Sequence, residues 1–141
     1  ELLSANYYDH YEFLGKNGIP NDMTTVYVEE TGYGKRNAGG CKGQLTRVWT
    51  SLLSARPGTF TYSVMYYDDR YRIIQQRGNN ELGGTEIVHT AYNFSGNPLE
   101  EKRIHTVSGT EPIVELHQHT YDHANRLLKT SYQLNIILLL F

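Results

Sequence analysis

The chain of 141 residues has a single cysteine, Cys41, so neither an internal disulfide nor a cysteine-based zinc site can be built from its own residues. No apolar run approaches the roughly 18 residues that a membrane-spanning helix needs. Charge of one sign is missing too: 13 Lys and Arg stand against 15 Asp and Glu, for a net charge of −2 without basic blocks. That balance argues against a dedicated nucleic-acid binder. At 39% hydrophobic and 20% charged residues, the chain is also too apolar for disorder. Helical periodicity is scarce, because glycine, tyrosine, threonine and valine interrupt any apolar stripe longer than about two turns.

One residue type is over-represented. Twelve tyrosines, against four phenylalanines and one tryptophan, are roughly three times average usage. Runs of β-branched and aromatic residues bounded by Gly, Asn and Asp predict strands at Thr24–Glu29, Leu45–Thr50, Phe60–Tyr67, Arg72–Arg77, Thr85–Tyr92, Leu99–Val107, Ile113–Tyr121 and Arg126–Leu134. Turn clusters separate them, among them Ala55–Thr59, and the glycine-rich stretch Gly32–Gly43 reads as a flexible loop. Residues 1–23 carry the weakest signal and could hold a helical turn around Tyr7–Leu14. The expectation is an all-β, mostly antiparallel fold. It divides into an N-terminal β segment over residues 1–59, hairpin repeats over 60–134 and an apolar tail over 135–141.

The repeats rest on three aligned segments: Tyr67-Asp68-Asp69-Arg70-Tyr71-Arg72-Ile73, Tyr92-Asn93-Phe94-Ser95-Gly96-Asn97-Pro98-Leu99 and Tyr121-Asp122-His123-Ala124-Asn125-Arg126-Leu127. Each fits one hairpin. An incoming strand ends in Tyr, an Asp or Asn bonds its own backbone two residues on, and the outgoing strand follows. Gly96 and Asn125 fall where a positive φ is wanted, and Tyr71 stands at that position in the first copy. Pro98 removes a ladder donor, which points to an edge strand or a bulge. A lone hairpin is marginal in water, so successive units must pair edge to edge or close over a shared interior.

These segments resemble the YD-repeat, or RHS-repeat, family, whose signature is Tyr-Asp-x-x-Gly-Arg-Leu recurring every few tens of residues. Residues 121–128 are similar with Asn125 in place of the glycine, and residues 66–75 with Tyr71 there. Leu82-Gly83-Gly84-Thr85 and Tyr92 through Gly96 resemble bacterial members in which copies follow one another. Tyr7-Tyr8-Asp9 and Leu45-Thr46-Arg47-Val48 match more loosely. The resemblance implies a long β strip coiled into a hollow shell, which in bacterial relatives encloses a toxic C-terminal domain and in animal relatives belongs to adhesion receptors. It implies a secreted or cell-surface address, and an arc of wall without catalytic residues or cofactor. The chain begins Glu1-Leu2-Leu3 without a Met and closes on the apolar run Ile136–Phe141, and it reads as a slice of something longer. The partners to expect are the rest of a longer chain and further copies pairing through open sheet edges.

Other chemistries have candidates. His117 and His119 point to one face of a strand, with His123 in the next turn, and three imidazoles could hold zinc. The bland alternative is two solvent-facing strand histidines and an ordinary turn residue. Paired acids at Glu29-Glu30, Asp68-Asp69 and Glu100-Glu101 point to opposite faces if they lie on strands, which does not suit acid–base work. Gly39-Gly40-Cys41-Lys42-Gly43 lacks the Lys-Ser/Thr ending of a phosphate loop. No G-x-S-x-G elbow exists, and Cys41 has no sequence neighbour to activate it. Tyr62, Tyr66 and Tyr71 are the candidates for an exposed tyrosine face that takes a glycan or a protein.

Overall fold

The computed structural model describes residues 2–53 and 58–134. It is all-β: eight strands form one open antiparallel sheet in strict sequence order. They are β1 (Ser4–Asp9), β2 (Cys41–Ser51), β3 (Phe60–Tyr67), β4 (Ile73–Asn79), β5 (Thr85–Tyr92), β6 (Pro98–His105), β7 (Ile113–Tyr121) and β8 (Leu127–Leu134). Most expected strands recur with ends shifted by a few residues. β2 and β3 pair from Arg47↔Val64 to Ser51↔Phe60, so residues 1–59 and 60–134 contribute to the same sheet. The apolar run Ile136–Phe141 and most of the turn expected at Ala55–Thr59 lie outside the described residues.

Two expectations near the N-terminus fail. Tyr7–Asp9 is the end of a strand, and only the stretch after it turns, with the Leu14 amide donating to the Tyr11 carbonyl. Thr24–Glu29 is not a strand. Asp22 imposes a turn, its Oδ1 accepting from the Thr24 amide (2.8 Å) and hydroxyl (2.7 Å). The more extended residues that follow meet a side chain instead of a neighbouring strand: Val28 donates to Gln75 Oε1 (3.1 Å) and accepts from Gln75 Nε2 (2.6 Å). Local propensity favoured a strand, but the backbone partner was a glutamine amide.

The sheet buries its two faces unequally. Alternation along β3 sends Tyr62, Val64 and Tyr66 to one face and Ser63 and Met65 to the other. On the first face, residues 10–40 between β1 and β2 lie across the middle strands, and Phe13 and Ile19 pack onto Val64 and Tyr66. Tyr11 stacks on Tyr66 with ring centroids 4.9 Å apart. Farther along, the Tyr33 hydroxyl bonds Glu100, and Lys102 pairs with Glu30 at 2.9 Å, so the segment reaches as far as β6. The stretch expected to be a flexible loop thus carries a buried anchor, Tyr33, and its last residues, Cys41–Gly43, open β2.

Polar groups are trapped under this cover. Arg47 is 2% exposed, with its guanidinium carbon 4.0 Å from the Tyr7 ring centre and no hydrogen-bond partner for Nε or Nη1. Among the described residues no carboxylate comes within ion-pair reach of it, and burial holds its pKa below the arginine norm. Arg77 donates to the Met23 carbonyl and to Gln75 Oε1. His89 lies against the Tyr33 ring, 5.3 Å between centroids, with Nδ1 3.3 Å from Gln75 Nε2.

Candidate functional site

The feature that recurs most regularly is a row of turns at one end of the sheet. In the first, Asp68 Oδ1 accepts from the amides of Arg70 (2.9 Å) and Arg72 (3.0 Å), while Oδ2 accepts from Arg72 Nε (2.7 Å). Asp122 repeats every bond, from the amides of Ala124 and Arg126 (both 2.9 Å) and from Arg126 Nε (2.7 Å). Asn93 keeps one of the two backbone bonds, accepting from the Asn97 amide at 2.9 Å. A carboxylate or amide oxygen suits this place because the tight turn leaves amides that no strand can bond.

Each turn needs one residue with positive φ. Gly96 takes 90° and Asn125 60°, as their residue types favour. Tyr71 is forced to 58° although a β-carbon is disfavoured there. The departure from glycine at this position therefore changes the strain and leaves the turn intact.

The tyrosine before each turn has a second function. The Tyr67 hydroxyl donates to the Leu45 carbonyl (2.6 Å), Tyr92 to Ile73 (2.7 Å) and Tyr121 to Pro98 (2.8 Å). In every case the acceptor lies on the strand before the hairpin, so the hydroxyl ties one hairpin to its predecessor. A register shift accompanies each tyrosine, at Tyr66/Tyr67, Ala91/Tyr92 and Thr120/Tyr121, where the extra residue swings the ring across. β6 is an interior strand, so Pro98 is accommodated by standing at the strand's first residue and at such an irregularity. Burial pushes the Tyr67 and Tyr92 hydroxyls above their ordinary pKa, which keeps them protonated donors.

Arginine links the turns in the other direction. Arg72 pairs with Asp68 at 2.7 Å, places its guanidinium 4.8 Å from the Tyr92 ring centre, and donates to the Asn93 carbonyl at 3.0 Å. Arg70 treats Phe94 alike, 4.6 Å from the ring centre and 2.8 Å from its carbonyl oxygen. For Asp68, burial alone would raise the pKa. The bonds from the Arg72 side chain and amide, the Arg70 amide and the Arg72 charge prevail and hold it below the carboxylate norm. Ile73, Leu99 and Leu127 stand near the starts of the outgoing strands.

A fourth turn of this type joins β4 to β5, where the sequence predicts a turn but not this pattern. Asn80 Oδ1 accepts from the amides of Leu82 (3.1 Å) and Gly84 (2.9 Å), with Gly83 at φ 75°. A β-carbon on Gly84 would fall 1.8 Å from the Thr106 carbonyl oxygen, so only glycine fits there. The signal was present: an Asx residue stands three places before the positive-φ residue in all four turns.

The other candidates disperse. His117 packs on Tyr132 (4.8 Å) and His119 Nδ1 lies 3.0 Å from the Thr130 hydroxyl. No group of three His, Cys, Asp or Glu among the described residues is placed to hold a metal, so His117, His119 and His123 do not form a site. Tyr62, Tyr66 and Tyr71 do not share a surface either. Tyr66 is 1% exposed with its hydroxyl on the Thr25 carbonyl (2.6 Å), Tyr62 is half-buried beneath the same cover, and Tyr71 projects from a turn. Tyr66 fails as a surface residue because residues 10–40, whose path the sequence did not show, lie over it.

Two clefts remain. One, of about 390 Å³, is lined by Asp9, His10, Tyr11, Arg36 and Cys41. Its thiol donates to the Asp9 carbonyl at 3.1 Å, and no described histidine bonds it, so it is not arranged as a nucleophile. The other, of about 420 Å³ on the opposite face, is lined by Ser63, Gln76, Asn80, Glu86, Arg103 and His105. There Glu86 is occupied by Arg103 and by His105 across the strand pair. Comparisons with family models, with curated proteins and with solved structures returned no match.

Proposed function

We propose that this chain is a non-catalytic structural segment of the YD-repeat type, part of a larger secreted or surface-exposed bacterial protein. It forms an arc of β-sheet wall that encloses or displays a toxin-like C-terminal domain. One observation carries the reading: an Asx turn and a tyrosine tie recur along a single sheet, an arginine bridges the first turn to the second, and these motif side chains are spent on one another. Side chains committed to structure in this way are not available as acid, base or nucleophile. Sequencing the gene on both sides, followed by limited proteolysis of the longer product, tests the proposal. Further Tyr-Asp hairpins and a downstream domain resistant to protease are expected. Flanks without such hairpins, or a downstream domain cut as readily as a free one, would refute it.

A carbohydrate-binding or adhesion module is the second reading, and the cleft around Gln76, Asn80, Glu86 and Arg103 favours it. Its amide, carboxylate and guanidinium groups suit sugar hydroxyls. Saccharide titrations followed by the amide resonances of these residues distinguish the two readings, because a wall leaves them unmoved.

A further inference from the structure

The two outer strands among the described residues carry complementary halves of the junction that recurs inside the sheet. β1 ends in Tyr8-Asp9 with register shifts around Tyr8, as β3, β5 and β7 end in Tyr and a register shift. Yet Tyr8 is 49% exposed, and among the described residues its hydroxyl has no partner. Inside the sheet, the acceptor for such a hydroxyl is a carbonyl near the start of the neighbouring strand, as at Ile73 and Pro98.

β8 presents that acceptor. Leu127 follows Tyr121 at the spacing at which Pro98 follows Tyr92 and Ile73 follows Tyr67, and no described strand pairs with the outer side of β8. Beside it, Arg126 repeats the Arg72 pair with its own aspartate. Its side chain is 76% exposed where that of Arg72 is 25%, because no tyrosine ring lies next to it. Large exposed apolar residues gather at the same two places: Leu2, Leu3 and Tyr8 at one edge, Leu127, Leu128 and Leu134 at the other. Eight alternating strands leave β1 and β8 antiparallel to each other, so β1 of another molecule set against β8 continues the alternation.

We propose that β8 of one molecule accepts β1 of a second copy of this chain. The Tyr8 hydroxyl then donates to the Leu127 carbonyl and Arg126 covers the Tyr8 ring. The contact is head-to-tail, so it leaves one edge of each kind free and builds open chains instead of closed dimers. It is a property of these 141 residues by themselves, since a flanking hairpin of a longer chain would take the same edges, and it is independent of any enclosed domain.

Sedimentation velocity of the whole chain, of Tyr8→Ala and of Arg126→Ala tests it, with circular dichroism confirming that each variant is folded. The unsubstituted chain is expected to form dimers and longer species as concentration rises. Each variant should associate about tenfold more weakly, through loss of a hydrogen bond, a cation–ring contact or both. An equimolar mixture of the two variants rebuilds one intact junction, between the β8 edge of Tyr8→Ala and the β1 edge of Arg126→Ala, and should stop at dimers. A chain monomeric at millimolar concentration, association undiminished by either substitution, or a mixture no tighter than its components would overturn the proposal.

Discussion

The Tyr92 hydroxyl lies 2.7 Å from the Ile73 carbonyl oxygen, joining the last residue of β5 to the first residue of β4. This bond is additional to the ladder between the two strands. Replacing Tyr92 with Phe keeps the ring beneath Arg72 and removes only the hydroxyl. Urea unfolding should show a loss of about 1 kcal/mol, the usual net value of one hydrogen bond. Tyr71→Phe should change nothing, because the Tyr71 hydroxyl makes no bond among the described residues.

Tyr71 offers the opposite effect. Its φ of 58° is disfavoured for any residue with a β-carbon, and the side chain is 51% exposed. Tyr71→Gly should therefore stabilise the protein by about 1 kcal/mol, the left-handed penalty less the added freedom of the unfolded chain. A higher urea midpoint with an unchanged slope is the expected readout.

His89 makes stability depend on pH. It is 3% exposed, and its pKa is lowered to about 4, mainly by burial; Glu30 opposes the shift, and Lys102 and Arg77 add to it. A histidine with a depressed folded-state pKa binds its proton first in the unfolded chain. Its contribution is complete above the unfolded value near 6.5 and is lost as pH falls from there to about 4, a total of about 3 kcal/mol. Below that window Asp68 continues the loss, because its carboxylate is held below its ordinary pKa. Thermal melts from pH 7 to 4 should record a steady fall in Tm, and His89→Gln should flatten it.

How far the sequence foretold the structure follows from how local each feature is. The turns at Asp68, Asn93 and Asp122 were legible because an Asx side chain and a positive-φ residue act within a few residues of each other. The tyrosine ties could not be read, since Tyr67 and Leu45 meet only after the strands have paired. Residues 10–40 were misread for a related reason: the backbone of Val28 bonds Gln75, far along the chain, and no periodicity announces a side-chain partner. Arg47 and Arg77 would ordinarily be assigned to the surface, and only the cover laid over β2–β5 makes them interior.

Asn97 is the place where the row lacks its arginine. It aligns with Arg72 and Arg126, and Asn93 aligns with their aspartate partners, so among the described residues Tyr121 has no cation over its ring where Tyr92 has Arg72. If successive hairpins are copies of one unit held by one set of contacts, the missing pair can be supplied. The most direct measurement is urea unfolding of the double variant Asn93→Asp/Asn97→Arg. The new pair and its contact with Tyr121 should raise stability by about 1 kcal/mol, and neither single change should do as much. A double variant no more stable than the original chain would contradict the account.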